Sequence, residues 1–147
     1  MKAALQRVTR AEVRVDGRSV ARIGQGMVVL LGVMRGDDSA CARRFAERVL
    51  QWRFFADERG RMNRSLLEAE GEALVVSQIT LAADGSKGRR PSLDEAAAPE
   101  LAEALYREFT RALEAAGVRC GTGVFGAKME VELVNDGPVT FALEERP

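Results

Sequence analysis

Along the first quarter of the chain the apolar positions recur with the period of β-structure. Ala11-Glu12-Val13-Arg14-Val15 alternates apolar with charged side chains, the pattern of a half-buried strand. Asp16-Gly17 interrupts the alternation and residues 18–23 resume it. The pair therefore reads as a two-residue hairpin whose turn positions both take positive φ. Gly24 and Gly26 punctuate the next turn. Residues 27–33 are then apolar without alternation, which predicts a central strand covered on both faces. Residues 73–81 are β-branched and mostly apolar and predict a second buried strand, although Ser77, Gln78 and Thr80 are unusual in one. Residues 118–125 are strand-like and residues 128–134 alternate cleanly. Asn135-Asp136-Gly137-Pro138 reads as a turn into a last strand over 139–143.

Two stretches change to helical period. After Gly36-Asp37-Asp38-Ser39, a turn ending in good N-cap residues, Cys41, Phe45, Val49 and Trp52 share one face. Arg43, Arg44, Glu47 and Arg48 fall on the other. Pro99 suits the first position of a second helix, which carries Leu101, Leu105, Phe109, Leu113 and Ala116 as its stripe and Gly117 as its terminator. Between the helices, Asp57-Glu58-Arg59-Gly60 is a turn signal and residues 84–91 form a Gly-rich basic loop. Two helices and seven or eight strands, with strands at both ends, give an α+β class. The sheet is expected to be mixed and largely antiparallel, layered or barrel-like, within one domain over 1–147.

Composition narrows the chemistry. Lys+Arg and Asp+Glu are 22 each, so the net charge is zero, which weighs against a partner held by bulk positive charge such as duplex DNA. The absence of histidine removes Ser-His and Cys-His machinery, His-ligated zinc and His general bases. Cys41 and Cys120, the two cysteines, form no C-x-x-C pair. The N-terminal residues turn polar too soon for a signal-peptide core, and no apolar run approaches the ~20 residues of a membrane helix. A cytoplasmic location, with no membrane partner, is the expectation.

Six features carry candidate chemistry. Gly121-Thr122-Gly123-Val124-Phe125-Gly126 fits G-x-G-x-x-G, but an alternating strand follows it where a dinucleotide site needs a helix. Lys87-Gly88-Arg89-Arg90 is either a solvated loop or a clamp for a few phosphates. Ser77-Gln78-Ile79-Thr80 offers two chemistries beside a plain core reading. Thr80 could be a nucleophile, yet a threonine hydroxyl needs an adjacent base and neither histidine nor an evident lysine partner is at hand. Backbone N–H groups could instead form an oxyanion hole, which needs no titratable partner. Gly137-Pro138 is the one kind of bond where a cis peptide is affordable, and a cis bond there would make a rigid backbone wall suited to steric selection. Phe125 and Met129 are either core or a holder for a base. Arg7, on an otherwise apolar strand, is either exposed or fixed against carbonyls or a carboxylate.

Taken together, the chain resembles the bacterial D-aminoacyl-tRNA deacylase family. Ser77-Gln78-Ile79-Thr80 and Asn135-Asp136-Gly137-Pro138-Val139-Thr140 carry the likeness as a pair, supported by Leu5-Gln6-Arg7-Val8-Thr9-Arg10-Ala11, Arg53-Phe54-Phe55 and Arg90-Pro91-Ser92. The family usually has Phe where Ile79 and Leu93 stand. The resemblance implies a homodimer with active sites at the interface. It implies hydrolysis of the ester joining a D-amino acid, or glycine, to the terminal adenosine of tRNA, without an obligatory cofactor or metal. By position, Gly137 and Pro138 would enter the partner's pocket and reject L-amino acids, with Arg7 fixing them. Ser77, Gln78, Ile79 and Thr80 would line the reaction centre. Phe125 and Met129 would hold the adenine of the acceptor end, and Lys87, Arg89 and Arg90 are the expected phosphate contacts. Two other readings stay open: Thr80 as a covalent nucleophile, and a non-catalytic RNA-end or nucleotide-binding dimer.

Overall fold

The computed structural model describes residues 1–86 and 88–147. The elements are β1 (Lys2–Val15), β2 (Arg18–Ile23), β3 (Gly26–Gly32), α1 (Ser39–Gln51), β4 (Phe55–Ala56), β5 (Met62–Arg64) and β6 (Glu72–Ser77). A 3₁₀ turn (Ile79–Ala82), α2 (Pro99–Ala115), β7 (Cys120–Thr122) and β8 (Glu130–Glu144) follow. One six-stranded sheet runs β2-β1-β3-β6-β7, with β8 paired to the other side of β1. The β1 pairings are antiparallel, whereas β3–β6 and β6–β7 are parallel, so the sheet is mixed as the pattern predicts.

The sheet curls until its ends almost meet. A Cβ on Gly121 of β7 would stand 3.3 Å from Ala21 Cβ of β2, so glycine there lets the two ends close without a hydrogen-bonded ladder. One face of β3 (Met27, Val29, Leu31) packs under the helices with Phe45 and Phe109. Its other face (Val28, with half-buried Leu30) joins Val8, Val13, Leu74 and Val76 inside the curl. Burial on both faces explains why residues 27–33 do not alternate.

Local signals set the boundaries where they are strong. Asp16 and Gly17 take φ of 50° and 75°, the hairpin turn that Asp-Gly favours. Asp38 caps α1 by accepting from Cys41 N at 2.7 Å, and Gly117 follows α2 at φ 95°. Asp38→Ala is expected to lower stability by about 1 kcal/mol, read as a lower urea midpoint at unchanged slope. In α2 only the middle of the predicted stripe, Leu105, Phe109 and Leu113, is covered. Leu101 and Ala116 at its ends are exposed.

Three expectations are corrected. The strand expected over 73–81 ends at Ser77, and residues 79–82 form a 3₁₀ turn, so Gln78, Ile79 and Thr80 leave the sheet. The strand expected over 118–125 is confined to Cys120–Thr122, at an edge of the sheet, and Phe125 lies beyond it. Asn135-Asp136-Gly137-Pro138 does not reverse the chain. β8 is continuous through it, because both flanks pair with β1: Asn135 with Val8, and Thr140 with Gln6. The surplus residues on β8 bulge out of the ladder.

Candidate active site

The 3₁₀ turn owes its position to a glycine beneath it. A Cβ on Gly32 would fall 2.9 Å from Leu81 Cβ and 3.1 Å from Gln78 O, so the turn packs directly on the end of β3. Gln78 N donates to Leu31 O at 2.8 Å, which anchors the start of the turn to β3. Gln78 is the residue before the turn and its side chain makes no capping bond to it. Among the described residues, the N–H groups of Ile79 and Thr80 therefore have no acceptor within the chain. Ile79 is 52% exposed. Two adjacent amide donors are thus uncommitted in this turn, and Ile79 forms part of a cavity wall.

That cavity, about 450 Å³, is lined by Ser77, Gln78 and Ile79 on one side and by Phe125 and Met129 on another; Val33, Ala97 and Ala102 complete its apolar walls. Among the described residues, none that lines it titrates. Gly123 makes room for Met129, since a Cβ there would stand 2.6 Å from Met129 Sδ. Behind the wall, Tyr106 Oη donates to Val75 O at 2.7 Å and its ring lies 6.1 Å from that of Phe125. Burial pushes the Tyr106 phenol up to about 12, so it stays a donor throughout the working pH range. Cys120 is likewise pushed up to about 12 by burial, which leaves it a thiol rather than a nucleophilic thiolate.

Thr80 does not line the cavity. Its Oγ1 accepts from Gln78 Nε2, a group that cannot take a proton from it. Among the described residues this hydroxyl has no hydrogen bond to a carboxylate or an amine.

The bulge of β8 is a second, separate constellation. The Gly137-Pro138 peptide is cis and both residues are exposed. Asn135 Nδ2 closes its base by donating to Arg7 O and Val139 O, each at 2.9 Å. Arg7, whose side chain is 14% exposed, donates from Nη1 to Phe54 O at 2.7 Å and from Nε to Asp136 O at 3.2 Å. The same Nε stands 3.2 Å from Asp136 Oδ2. Arg7 is thus fixed against both carbonyls and a carboxylate. Arg7→Ala leaves these groups without their donor and is expected to cost about 2 kcal/mol, measured by urea unfolding.

The cavity and the bulge do not meet within one chain: Arg7, Gly137 and Pro138 are absent from the cavity wall. Arg89 and Arg90 are exposed on the loop beyond the 3₁₀ turn, and Lys87 lies outside the described residues. Sequence reasoning quoted Asn135 and Phe54 within motifs but gave neither a role, and it missed Gly32 and Tyr106. Asn135 is legible as a side chain able to bridge two carbonyls, whereas the others act through a carbonyl, an absent Cβ or a distant contact and leave no local pattern.

Comparisons with known proteins identify the family of the chain. A family model described as D-Tyr-tRNA(Tyr) deacylase matches residues 4–144. A relative from Thermomicrobium roseum named D-aminoacyl-tRNA deacylase is 56% identical over 98% of this chain and 94% of its own length. One of the same name from Roseiflexus castenholzii is 54% identical over 98% and 92%. A solved structure titled c-Myc DNA Unwinding Element Binding Protein superimposes with a TM-score of 0.92 at 40% identity, covering 98% of both chains. Another, of a probable eukaryotic D-amino acid tRNA deacylase, shares the fold with a TM-score of 0.83 at 20% identity over 97% of both chains. With the model spanning the strands, the cavity and the bulge alike, the chain belongs to the D-Tyr-tRNA(Tyr) deacylase family.

Proposed function

We propose that the protein hydrolyses the ester of D-aminoacyl-tRNA, releasing free D-amino acid and tRNA, and accepts glycyl-tRNA as well. The observation that carries the mechanism is the pair of uncommitted amide donors at Ile79 and Thr80, beside a cavity whose walls hold no titratable side chain among the described residues. Water adds to the ester carbonyl, and the two N–H groups receive the developing oxyanion. The carbonyl–ribose oxygen bond then breaks, and the neighbouring 2′-hydroxyl of the ribose relays the proton: it gives its own to the leaving oxygen and takes the one that the attacking water loses. An aminoacyl ester is already activated by that hydroxyl, so orientation, an oxyanion site and water suffice without histidine. Phe125 and Met129, on the cavity wall, hold the terminal adenine. Arg89 and Arg90, with Lys87, contact phosphates of the acceptor end.

The active unit is a homodimer in which the Gly137-Pro138 bulge of one copy closes the cavity of the other. The separation of bulge and cavity within one chain supports this, as do the exposed Val131 and Val134 on β8. With the ester carbonyl held at Ile79 and Thr80, D and L substrates differ in which substituent faces the backbone wall. A side chain collides there, whereas the hydrogen of a D-residue or of glycine fits. Such an enzyme works where charged tRNA is found, in the cytoplasm; no helix of the chain's described residues is long and apolar enough to cross a membrane.

The test is hydrolysis of paired D- and L-tyrosyl-tRNA by purified, metal-stripped protein. Rapid release of D-tyrosine with L-tyrosyl-tRNA spared is expected. Equal cleavage of the two would refute the role of the bulge, and tRNA binding without cleavage would favour a non-catalytic RNA-end module.

A further inference from the structure

Phe125 borders two cavities. One is the site described above; the other, of about 480 Å³, is lined by α2 residues together with Phe125. Its volume falls in the range of small-ligand sites, roughly 300–1,000 Å³. Val124, 45% exposed, and Phe125 supply an apolar surface. Arg107, Arg111, Glu103 and Glu114 supply charge from the outer face of α2. Arg107 is held by Glu103 at 2.6 Å, one turn away. Arg111 has no carboxylate within ion-pair distance among the described residues, so its guanidinium is available to a ligand.

An apolar platform next to an uncommitted arginine suits a nucleotide in a single strand, whose base stacks while its phosphodiester takes the guanidinium. Because Phe125 is shared, a strand ending in the first cavity would have its preceding nucleotide at the second. Resting on the hydrolase reading above, we infer that this second cavity receives the penultimate nucleotide of the acceptor end, with Arg111 on its phosphodiester. The cavity then adds affinity for tRNA without touching the ester.

Two minimal substrates separate this from the chemistry: D-tyrosyl-adenosine, which fills only the first cavity, and D-tyrosyl-cytidylyl-adenosine, which adds one nucleotide and one phosphodiester. The wild-type protein is expected to have about tenfold lower KM for the dinucleotide. The difference between the two KM values should weaken with salt by about one single-strand contact, a slope of about 0.7 on logarithmic axes. Arg111→Glu and Val124→Asp should each erase the advantage while D-tyrosyl-adenosine is cleaved as before. Equal KM values for both substrates in the wild-type protein would overturn the inference, as would variants that slow both substrates in parallel. Failure of the hydrolase reading looks different: D-tyrosyl-tRNA itself would not be cleaved, and the inference would fall with it.

Discussion

Ile79→Pro is expected to lower kcat on D-tyrosyl-tRNA by about 10²–10³ while the fold stays intact, the loss typical of one oxyanion donor. Proline deletes the N–H and little else at this position. Ile79 opens the 3₁₀ turn, where a proline's fixed φ fits and no intrahelical bond is lost. Gln78 before it sits at φ −136°, ψ 83°, outside the helical region that a following proline disfavours. The isoleucine side chain is half exposed, so its removal empties no core. Two controls isolate the amide. Ile79→Ala keeps the N–H and should retain most of the rate. Thr80→Ala keeps its N–H and loses only the hydroxyl that Gln78 holds, so it should stay within about tenfold of wild type, the limit of one modest hydrogen bond. An inactive Thr80→Ala together with a trapped aminoacyl adduct would establish the covalent mechanism instead.

Gly137→Ala is expected to reduce the preference for D- over L-tyrosyl-tRNA by at least about tenfold. Gly137 has φ of 129°, a conformation costly for any residue with a Cβ. The added methyl would also stand 2.7 Å from Val139 Cγ2 and 3.2 Å from Arg7 Nη2. The bulge must therefore shift against the Arg7 guanidinium that fixes it. A displacement of about 1 Å in a positioning element commonly costs about 10²-fold in a catalytic parameter. Because the bulge is exposed, the cost should fall on discrimination far more than on stability, and paired D and L rate measurements with a urea titration distinguish the two.

The sequence carried the elements whose causes are local. Asp16-Gly17, the N-cap at Asp38, Pro99 and Gly117 each act within a few residues, and the predicted hairpin and helices stand where they point. It misjudged those decided by contacts across the fold. Residues 73–81 keep an apolar, β-branched composition past Ser77, and what ends the strand is the bare backbone of Gly32, which lets the chain curl over β3. Asn135-Asp136-Gly137-Pro138 has the composition of a reversal, but the pairing of both flanks with β1 holds β8 on course and turns the segment into a bulge. Of the sequence candidates, Ser77, Gln78, Ile79, Phe125 and Met129 meet at the cavity and Arg7, Gly137 and Pro138 at the bulge, whereas Arg89 and Arg90 belong to neither. The cavity's apolar walls, from Val33, Ala97 and Ala102, were not legible, since ordinary core residues carry no chemical mark.

The central claim is that each active site joins the amide donors of one copy to the bulge of another. A mixed dimer tests it most directly. One chain carries Ile79→Pro, the other Gly137→Ala, and the heterodimer is isolated through two different affinity tags. If the site is shared between copies, one of its two sites is wholly wild type: kcat should be about half that of the wild-type dimer, with the D-over-L ratio fully restored. If each chain builds its own site, the surviving half of the rate would show the poor discrimination of the Gly137→Ala homodimer, and the shared-site account would be wrong.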